Sequence, residues 1–205
     1  MLVAVATFAV AAALIVLLPG PDTLVVVRSI LRGGRSRGIT TAAGNLVGLT
    51  VWVGAAALGL SALLRASHIG YEVLRIVGAA YLIWLGVQSI RLRRARREAD
   101  GAEGRSGLLG TGFFAGLVTN LLNPKVGVFF VTFLPGFVPS GYSVGGTSLL
   151  FGAIFIFETA IYWVLLLGLA ARVTRWMSEP RIRRRLDTVT GGILIAFGLR
   201  LAVES

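Results

Sequence analysis

Long apolar segments that hold few or no charges alternate along the chain with short segments that concentrate the charged residues. The apolar segments cover residues 2–18, 38–64, 76–90, 106–124 with a continuation to 134, 147–171 and 186–203. A helix needs about 20 mostly apolar residues to cross a bilayer. The pattern therefore predicts an all-α integral membrane protein with about six transmembrane helices.

The first apolar segment, residues 2–18, could also be taken for a secretory signal peptide. It lacks the basic start of such a peptide, and no loop-like cleavage region follows it. We therefore expect residues 2–18 to be retained as the first span.

The two halves of the chain resemble each other. Residues 17–21 match residues 121–125, and each stretch interrupts an apolar segment with proline. A second match places five residues 112 positions apart; the pairs are Leu74 and Leu186, Val77 and Val189, Leu82 and Leu194, Ile83 and Ile195, and Gly86 and Gly198. The chain therefore contains an internal repeat.

A repeat with three spans must enter the membrane in the opposite orientation the second time, as in many secondary transporters. The sequence thus predicts two inverted three-helix repeats, each with a broken first helix. We expect residues 1–92 to form the first repeat, residues 93–107 a basic cytoplasmic linker, and residues 108–205 the second repeat.

The arginines indicate the orientation of the chain in the membrane. Residues 28–37, 91–107 and 172–185 contain four, six and six arginines, whereas the other connections and the two termini contain very few. Basic loops stay on the cytoplasmic side. With six spans, the arginine-rich loops are cytoplasmic and both termini lie outside.

The net charge of +11 does not indicate nucleic acid as a partner, because the arginines cluster beside apolar segments rather than along one amphipathic face. The protein is instead expected to interact with the lipid bilayer. The sequence does not decide whether it forms a homo-oligomer. Cysteine is absent and His68 is the only histidine. Thiol, zinc and Ser-His chemistry are thereby disfavoured, and we expect no catalytic residue, metal site or cofactor.

The two helix breaks carry the chemistry that the sequence predicts. They consist of Pro19, Gly20, Pro21 and Asp22 in the first half and of Asn123, Pro124 and Lys125 in the second. Proline removes a backbone donor, and the carbonyl groups that it frees need a partner inside a membrane. The helix that restarts after each break also directs partial positive charge towards its N-terminus, which favours a carboxylate.

Asp22 and Lys125 each follow a proline, and they carry opposite charges. One hypothesis is that they pair with each other or with the backbone and hold the two halves together. The other is that Lys125 receives the carboxylate of a zwitterionic substrate while Asp22 receives its ammonium group. The sequence favours neither hypothesis over the other.

Further polar residues interrupt the apolar segments. Glu158 lies inside the fifth segment, where a lone carboxyl is expected to be protonated or paired, so Glu158 joins Asp22 as a candidate for proton coupling. Asn45, Asn120 and Asn123 are candidate substrate contacts, although hydrogen bonds between helices would also explain them.

The chain resembles the LysE/RhtB family of amino-acid exporters. The resemblance rests on PGPD at 19–22, GNLVG at 44–48, YLIWLG at 81–86 and NPK at 123–125, and it extends over nearly the whole chain. It implies an amino-acid exporter of the prokaryotic plasma (inner) membrane that is driven by the proton motive force, and not an enzyme. It does not identify which amino acid is exported.

Two alternatives to this function remain open from the sequence. The first is a transporter of another small solute or ion on the same fold, and the second is a membrane scaffold that transports nothing. A scaffold would tolerate neutralisation of Asp22 and Lys125, whereas an exporter would not. An ion site would need more oxygen ligands than the two membrane carboxyls, which lie in different halves.

Overall fold

The computed structural model describes residues 1–60, 68–91, 110–170, 172 and 179–203, and every regular element in these ranges is helical. The helices are α1 (Leu2–Leu17), α2 (Pro21–Ala55, extended by Ala56–Leu60), α3 (His68–Arg91), α4 (Phe113–Leu121), α5 (Pro124–Val128, extended by Phe129–Phe133 and Leu134–Phe137), α6 (Val144–Gly168) and α7 (Pro180–Val203). The extension of α2 is a π-helical turn, and that of α5 is a π-helical turn followed by a 3-10 turn. The predicted linker 93–107 lies outside the described residues.

Helix α2 is folded back on itself at Gly33 and Gly34. Both glycines leave the helical conformation, and Gly34 has a φ of 71°, which glycine adopts without steric cost. The Thr41 hydroxyl donates to the Ser29 hydroxyl at 2.8 Å, whereas twelve residues of continuous helix would separate these residues by about 18 Å. We call residues 21–32 the first arm of α2 and residues 35–55 the second arm.

Helix α1 and the first arm of α2 run alongside α6 in the same direction. The Phe8 ring stacks on the Phe151 ring with 4.4 Å between centroids, and further along both elements the Thr23 hydroxyl lies 3.1 Å from the Tyr162 hydroxyl. Two short helices therefore follow one another along a single path, separated only by the break. The core around Phe8 is rich in phenylalanine and includes Phe129 and Phe133 of the α5 extension.

Glycines allow the second arm of α2 to pack closely on α4. A Cβ atom added at Gly44 would overlap the carbonyl oxygen of Phe113, and one added at Gly116 would overlap the carbonyl oxygen of Thr41. The Gly112 N–H donates to the Thr41 hydroxyl, and further along both helices Gly48 faces Asn120. The contacting residue numbers therefore rise together, so the helices are parallel. Small residues permit such close backbone approach in membrane proteins, where hydrophobic driving force between helices is weak.

We expect Gly44→Ala to destabilise the protein by about 1–3 kcal/mol, the usual cost of forcing a methyl group into a packed interface. Gly54→Ala is the matched control, because Gly54 lies on the same arm of α2 and a Cβ atom there would meet nothing within 4 Å. Thermal unfolding of the detergent-purified variants measures the difference. Equal melting temperatures for the two variants would contradict the close packing.

Helices α3 and α7 pack against each other in a symmetric, antiparallel way. Their first residues, 68 and 180, and their last residues, 91 and 203, are each 112 positions apart. A Cβ atom at Gly86 would contact the backbone of Gly191 and Ile195, whereas one at Gly198 would contact the backbone of Ala79 and Ile83. A shift of 112 residues relates the two sets of contacts, because residues 86, 79 and 83 correspond to residues 198, 191 and 195.

Helix length and hydropathy identify fewer spans than the six expected. Among the residues that the structure describes, two helical stretches are long and apolar enough to cross a membrane, Pro21–Gly59 and Val144–Gly168. A third span results if Phe113–Leu121 and Pro124–Phe137 count as one span bent by 50°. Shorter apolar helices occupy Leu2–Leu17, Arg75–Ile90 and Thr188–Val203. The architecture is that of a helical membrane protein, and six inverted spans stay a prediction.

Candidate functional site

The first break separates α1 from α2 and is closed by a side chain from the second half of the chain. Helix α1 ends at Leu17, Leu18 is extended, and Pro21 begins α2. The Lys125 ammonium donates to the carbonyl oxygens of Ile15 at 3.2 Å and Leu18 at 2.9 Å. Carbonyl groups at a helix C-terminus lack helical partners and favour a cation, so Lys125 satisfies the backbone that the break frees.

The glycine of the first break leaves space for this ammonium group. A Cβ atom added at Gly20 would lie 3.4 Å from the Lys125 nitrogen, which is tight but not an overlap. Gly20 therefore contributes space next to Lys125. The carbonyl groups that bind the ammonium group belong instead to Ile15 and Leu18, which precede Pro19 and Pro21.

The second break separates α4 from α5 and positions two amides on Asp22. The Asn123 side-chain oxygen accepts from the Lys125 backbone N–H at 3.1 Å, which caps α5 at Pro124. The Asn123 amide donates to Asp22 Oδ2 at 2.9 Å, and the Asn120 amide donates to the same oxygen at 3.1 Å. Each break is thus held by a charged residue that belongs to the other half.

Asp22 and Lys125 do not pair with each other. Within the described ranges no ion pair joins them; neutral amides hold Asp22, and backbone carbonyls hold Lys125. An ammonium group has three N–H donors, and two of those on Lys125 are in use. Of the two hypotheses, direct pairing is not what the structure contains, whereas bonding of Lys125 to the backbone is present.

A small cavity lies where the two breaks meet, with a volume of about 30 Å³. A cavity needs about 10–15 Å³ to hold one water molecule, so this cavity has room for about two water molecules. An amino acid would require the helices to move apart. The lining side chains come from α1, both arms of α2, α4, α5 and α6: Ile15, Val16, Leu18, Asp22, Thr23, Asn45, Leu49, Asn120, Lys125, Val126, Phe155, Thr159, Tyr162 and Trp163.

Three buried polar atoms of the lining residues have no hydrogen-bond partner. They are Asp22 Oδ1, Asn120 Oδ1 and Asn45 Nδ2, and the side chains of Asn45 and Asn120 are each only 1% exposed. A buried polar group without a partner costs about 1–3 kcal/mol. The site therefore offers two acceptors and one donor to whatever enters it.

Two residues of α6 complete the site and were not predicted from the sequence. The Trp163 indole donates to Asn45 Oδ1 at 3.0 Å, and Tyr162 contacts Thr23 through its hydroxyl. The sequence does carry a signal for this face of α6. Phe155, Thr159 and Tyr162 are spaced at i, i+4 and i+7, which places them on the same side of a helix.

Glu158 does not join the predicted site. Neighbouring residues of α6 line the cavity, but Glu158 does not. Its side chain is partly buried, with one carboxyl oxygen that has no partner. The structure therefore brings Asp22, Asn45, Asn120, Asn123 and Lys125 together and leaves Glu158 apart from them.

The protein-family model of the LysE type translocator matches residues 13–205. The chain belongs to the LysE type translocator family. Such a translocator is a transporter and not an enzyme, as the sequence resemblance implied. With its apolar helices it is also a membrane protein.

Relatives of this LysE type translocator cover nearly its whole length. It is 33% identical over 201 residues to the leucine efflux protein of Enterobacter sp. (strain 638), with 96% of this chain and 93% of the relative covered. It is 28% identical over 190 residues to the threonine efflux protein of Escherichia coli (strain K12), with 91% of each covered. An uncharacterized membrane protein of Bacillus subtilis (strain 168), YrhP, is 28% identical over 201 residues, 94% of this chain and 95% of the relative. No solved structure matches the chain.

Proposed function

We propose that this LysE type translocator exports amino acids or close derivatives from the cytoplasm. The observation that carries the proposal is the placement of Asp22 and Lys125 on one buried cavity, with opposite charges and no direct pairing. A free amino acid carries the same two charges on its α-carbon substituents. The leucine and threonine efflux proteins among the relatives support the same substrate class.

In the proposed complex, the substrate carboxylate binds the remaining N–H of the Lys125 ammonium. The substrate ammonium group binds Asp22 Oδ1, which has no partner in the closed structure. Asn45 Nδ2 and Asn120 Oδ1 supply a further donor and a further acceptor. The cavity of about 30 Å³ must open to admit the substrate, so we assign the structure to a closed state of the cycle.

We also propose that the fold consists of two inverted three-helix repeats. The α3–α7 packing supports this, because its contacts repeat with a shift of 112 and the two helices are antiparallel. The path of α1 and the first arm of α2 along α6 supports counting them as one broken span. The repeats then comprise residues 1–92 and 108–205, with 93–107 as the linker, and export follows from rocking one against the other.

The proposed location is the inner membrane of a prokaryote, with arginine-rich loops inside and both termini outside. The positive-inside rule supports this orientation. Because the chain has no cysteine, single cysteines introduced at the two ends can be labelled without background. Protection of either end from an impermeant maleimide in intact cells would contradict the proposed orientation.

The proposed energy source is the proton motive force. The two candidate proton carriers are Asp22, which lines the cavity, and Glu158, which lies apart from it. Both are carboxyl groups in membrane-spanning segments, where ionisable residues usually serve a function. Outward movement of substrate against its gradient then requires inward movement of protons. Collapse of the proton gradient by a protonophore is expected to stop export in loaded cells.

We expect efflux from cells loaded with dipeptides to rise when the protein is expressed, and to favour amino acids with neutral side chains by at least about tenfold. Asp22 and Lys125 are the only charged residues among those that line the cavity in the described structure. A third charge on a substrate would be buried without a partner, at a cost of several kcal/mol, and 1.4 kcal/mol is a tenfold effect. Chromatography of the medium measures each amino acid.

The efflux experiment has two informative negative results. If no amino acid leaves faster although the protein is present in the membrane, the proposed function is wrong. If lysine, arginine or glutamate leaves faster than the neutral amino acids, export is correct but the preference is wrong. Cells that carry the empty vector provide the background rate.

A further inference from the structure

Two oxygen atoms in the cavity wall lack a hydrogen-bond donor, and they belong to residues that already contact each other. Asp22 Oδ2 accepts the amides of Asn120 and Asn123, while Asp22 Oδ1 and Asn120 Oδ1 are buried without a partner. Reversing the Asn120 amide would not help, because its oxygen would then face Asp22 Oδ2. Both acceptors therefore need a hydrogen-bond donor that the described cavity residues do not supply.

Two groups available to a transporter can supply that hydrogen. One is a proton on the Asp22 carboxyl, which makes Oδ1 a donor instead of an unpaired acceptor. The other is the ammonium group of a substrate, which has three N–H donors. Lys125 is the one cationic side chain among the described residues that line the cavity, but its ammonium group is held on the carbonyl groups of Ile15 and Leu18.

We propose that a proton and the substrate ammonium group compete for this one site, formed by Asp22 Oδ1 and Asn120 Oδ1, and that this competition couples export to proton entry. The inference rests on the proposed function and specifies its coupling residue. Asp22 is the proton carrier, Asn120 is the positioning residue that accepts from either occupant, and Glu158 carries no coupled proton.

The surroundings of Asp22 support this assignment. Lys125 faces the cavity from α5 and Tyr162 faces it from α6, on the Thr23 hydroxyl. The lining residues of α1, of the second arm of α2 and of α4 are not ionisable. Asp22 therefore carries the only carboxyl group among the described residues that line the cavity.

The charges in the cavity set the stoichiometry. With Asp22 ionised, Lys125 protonated and a zwitterion bound, the net charge is zero. With Asp22 protonated and no substrate, the net charge is one positive unit. Each cycle therefore moves one neutral zwitterion outward and one proton inward, so that one positive charge enters the cell for each molecule exported.

Proton release from the purified full-length protein tests the proposal. L-Leucine, with L-threonine as a second probe, is added in weakly buffered detergent solution that contains a pH indicator, in steps from acidic to neutral pH. Binding is followed separately through tryptophan fluorescence, since Trp163 lines the cavity. We expect about one proton released per molecule bound in acidic solution and less release in neutral solution, where fewer empty sites hold a proton.

Variants separate the two carboxyl groups. Glu158→Gln is expected to bind and to release protons as the wild type does, Asp22→Glu to release protons with weaker binding, and Asp22→Asn to lose both. Binding with no proton release at any pH, or loss of release in Glu158→Gln with binding retained, would overturn the inference and leave the proposed function standing. Failure of all twenty amino acids to bind would refute both.

Discussion

Export is expected to fall by at least about a hundredfold when Asp22 is replaced by asparagine. The substitution keeps the size and shape of the side chain but removes the charge that binds the substrate ammonium group. Truncating one partner of a buried charge pair costs about 3–5 kcal/mol, and each 1.4 kcal/mol is a tenfold effect. The loss is large because the closed cavity contains no other acid among its described lining residues.

The measurement is the initial rate of amino-acid efflux at equal amounts of membrane-inserted protein. Glu158→Gln is the matched control, since it makes the same acid-to-amide change in a membrane-spanning segment but away from the cavity. The Asp22→Asn variant is expected to remain folded, because an asparagine oxygen can still accept the amides of Asn120 and Asn123. Normal export by Asp22→Asn would show that the site is assigned to the wrong residue.

Replacing Lys125 is expected to reduce export to a similar extent, by at least about a hundredfold. The substrate carboxylate loses the one cation among the described residues that line the cavity. Lys125→Ala also leaves the Leu18 carbonyl group without its donor, whereas the Ile15 carbonyl keeps the Leu18 N–H at 3.3 Å. Each unpaired buried group costs about 1–3 kcal/mol, so this variant should melt earlier than the wild type. Efflux rates and thermal unfolding are measured together.

Lys125→Gln separates the charge from the hydrogen bonds. Glutamine retains an N–H donor that can serve one of the α1 carbonyls, so we expect it to restore part of the stability lost in Lys125→Ala but none of the export. Lys125 is the only lysine in the chain, so no other lysine can replace it. Wild-type export by Lys125→Gln would show that Lys125 closes the break without binding substrate.

The position of both breaks followed from the sequence, because proline lacks a backbone donor whatever surrounds it. Pro21 and Pro124 are each the first residue of a helix, where the missing N–H would have no helical partner in any case. Asp22 and Lys125 are thereby second residues of equivalent helices. The family resemblance, carried by the same motifs, was also confirmed.

The connection predicted at residues 28–37 is shorter in the structure, since only Gly33 and Gly34 leave the helix. The prediction rested on the four arginines of this segment, but arginine is a good helix former. Charge indicates where a chain leaves the membrane, and backbone conformation indicates where a helix ends. The two need not coincide, and here the glycines alone make the turn.

The sequence by itself determined the helical membrane class, the two breaks and the residues with charge beside them, because apolar length, proline geometry and side-chain charge are local properties. Only the tertiary structure decided which side chain forms hydrogen bonds at each break. Lys125 reaches carbonyl groups 107 and 110 residues away, and the amides of Asn120 and Asn123 reach Asp22 over 98 and 101 residues. Such pairings depend on how helices approach one another in space, which is also why Tyr162 and Trp163 were found only in the folded chain.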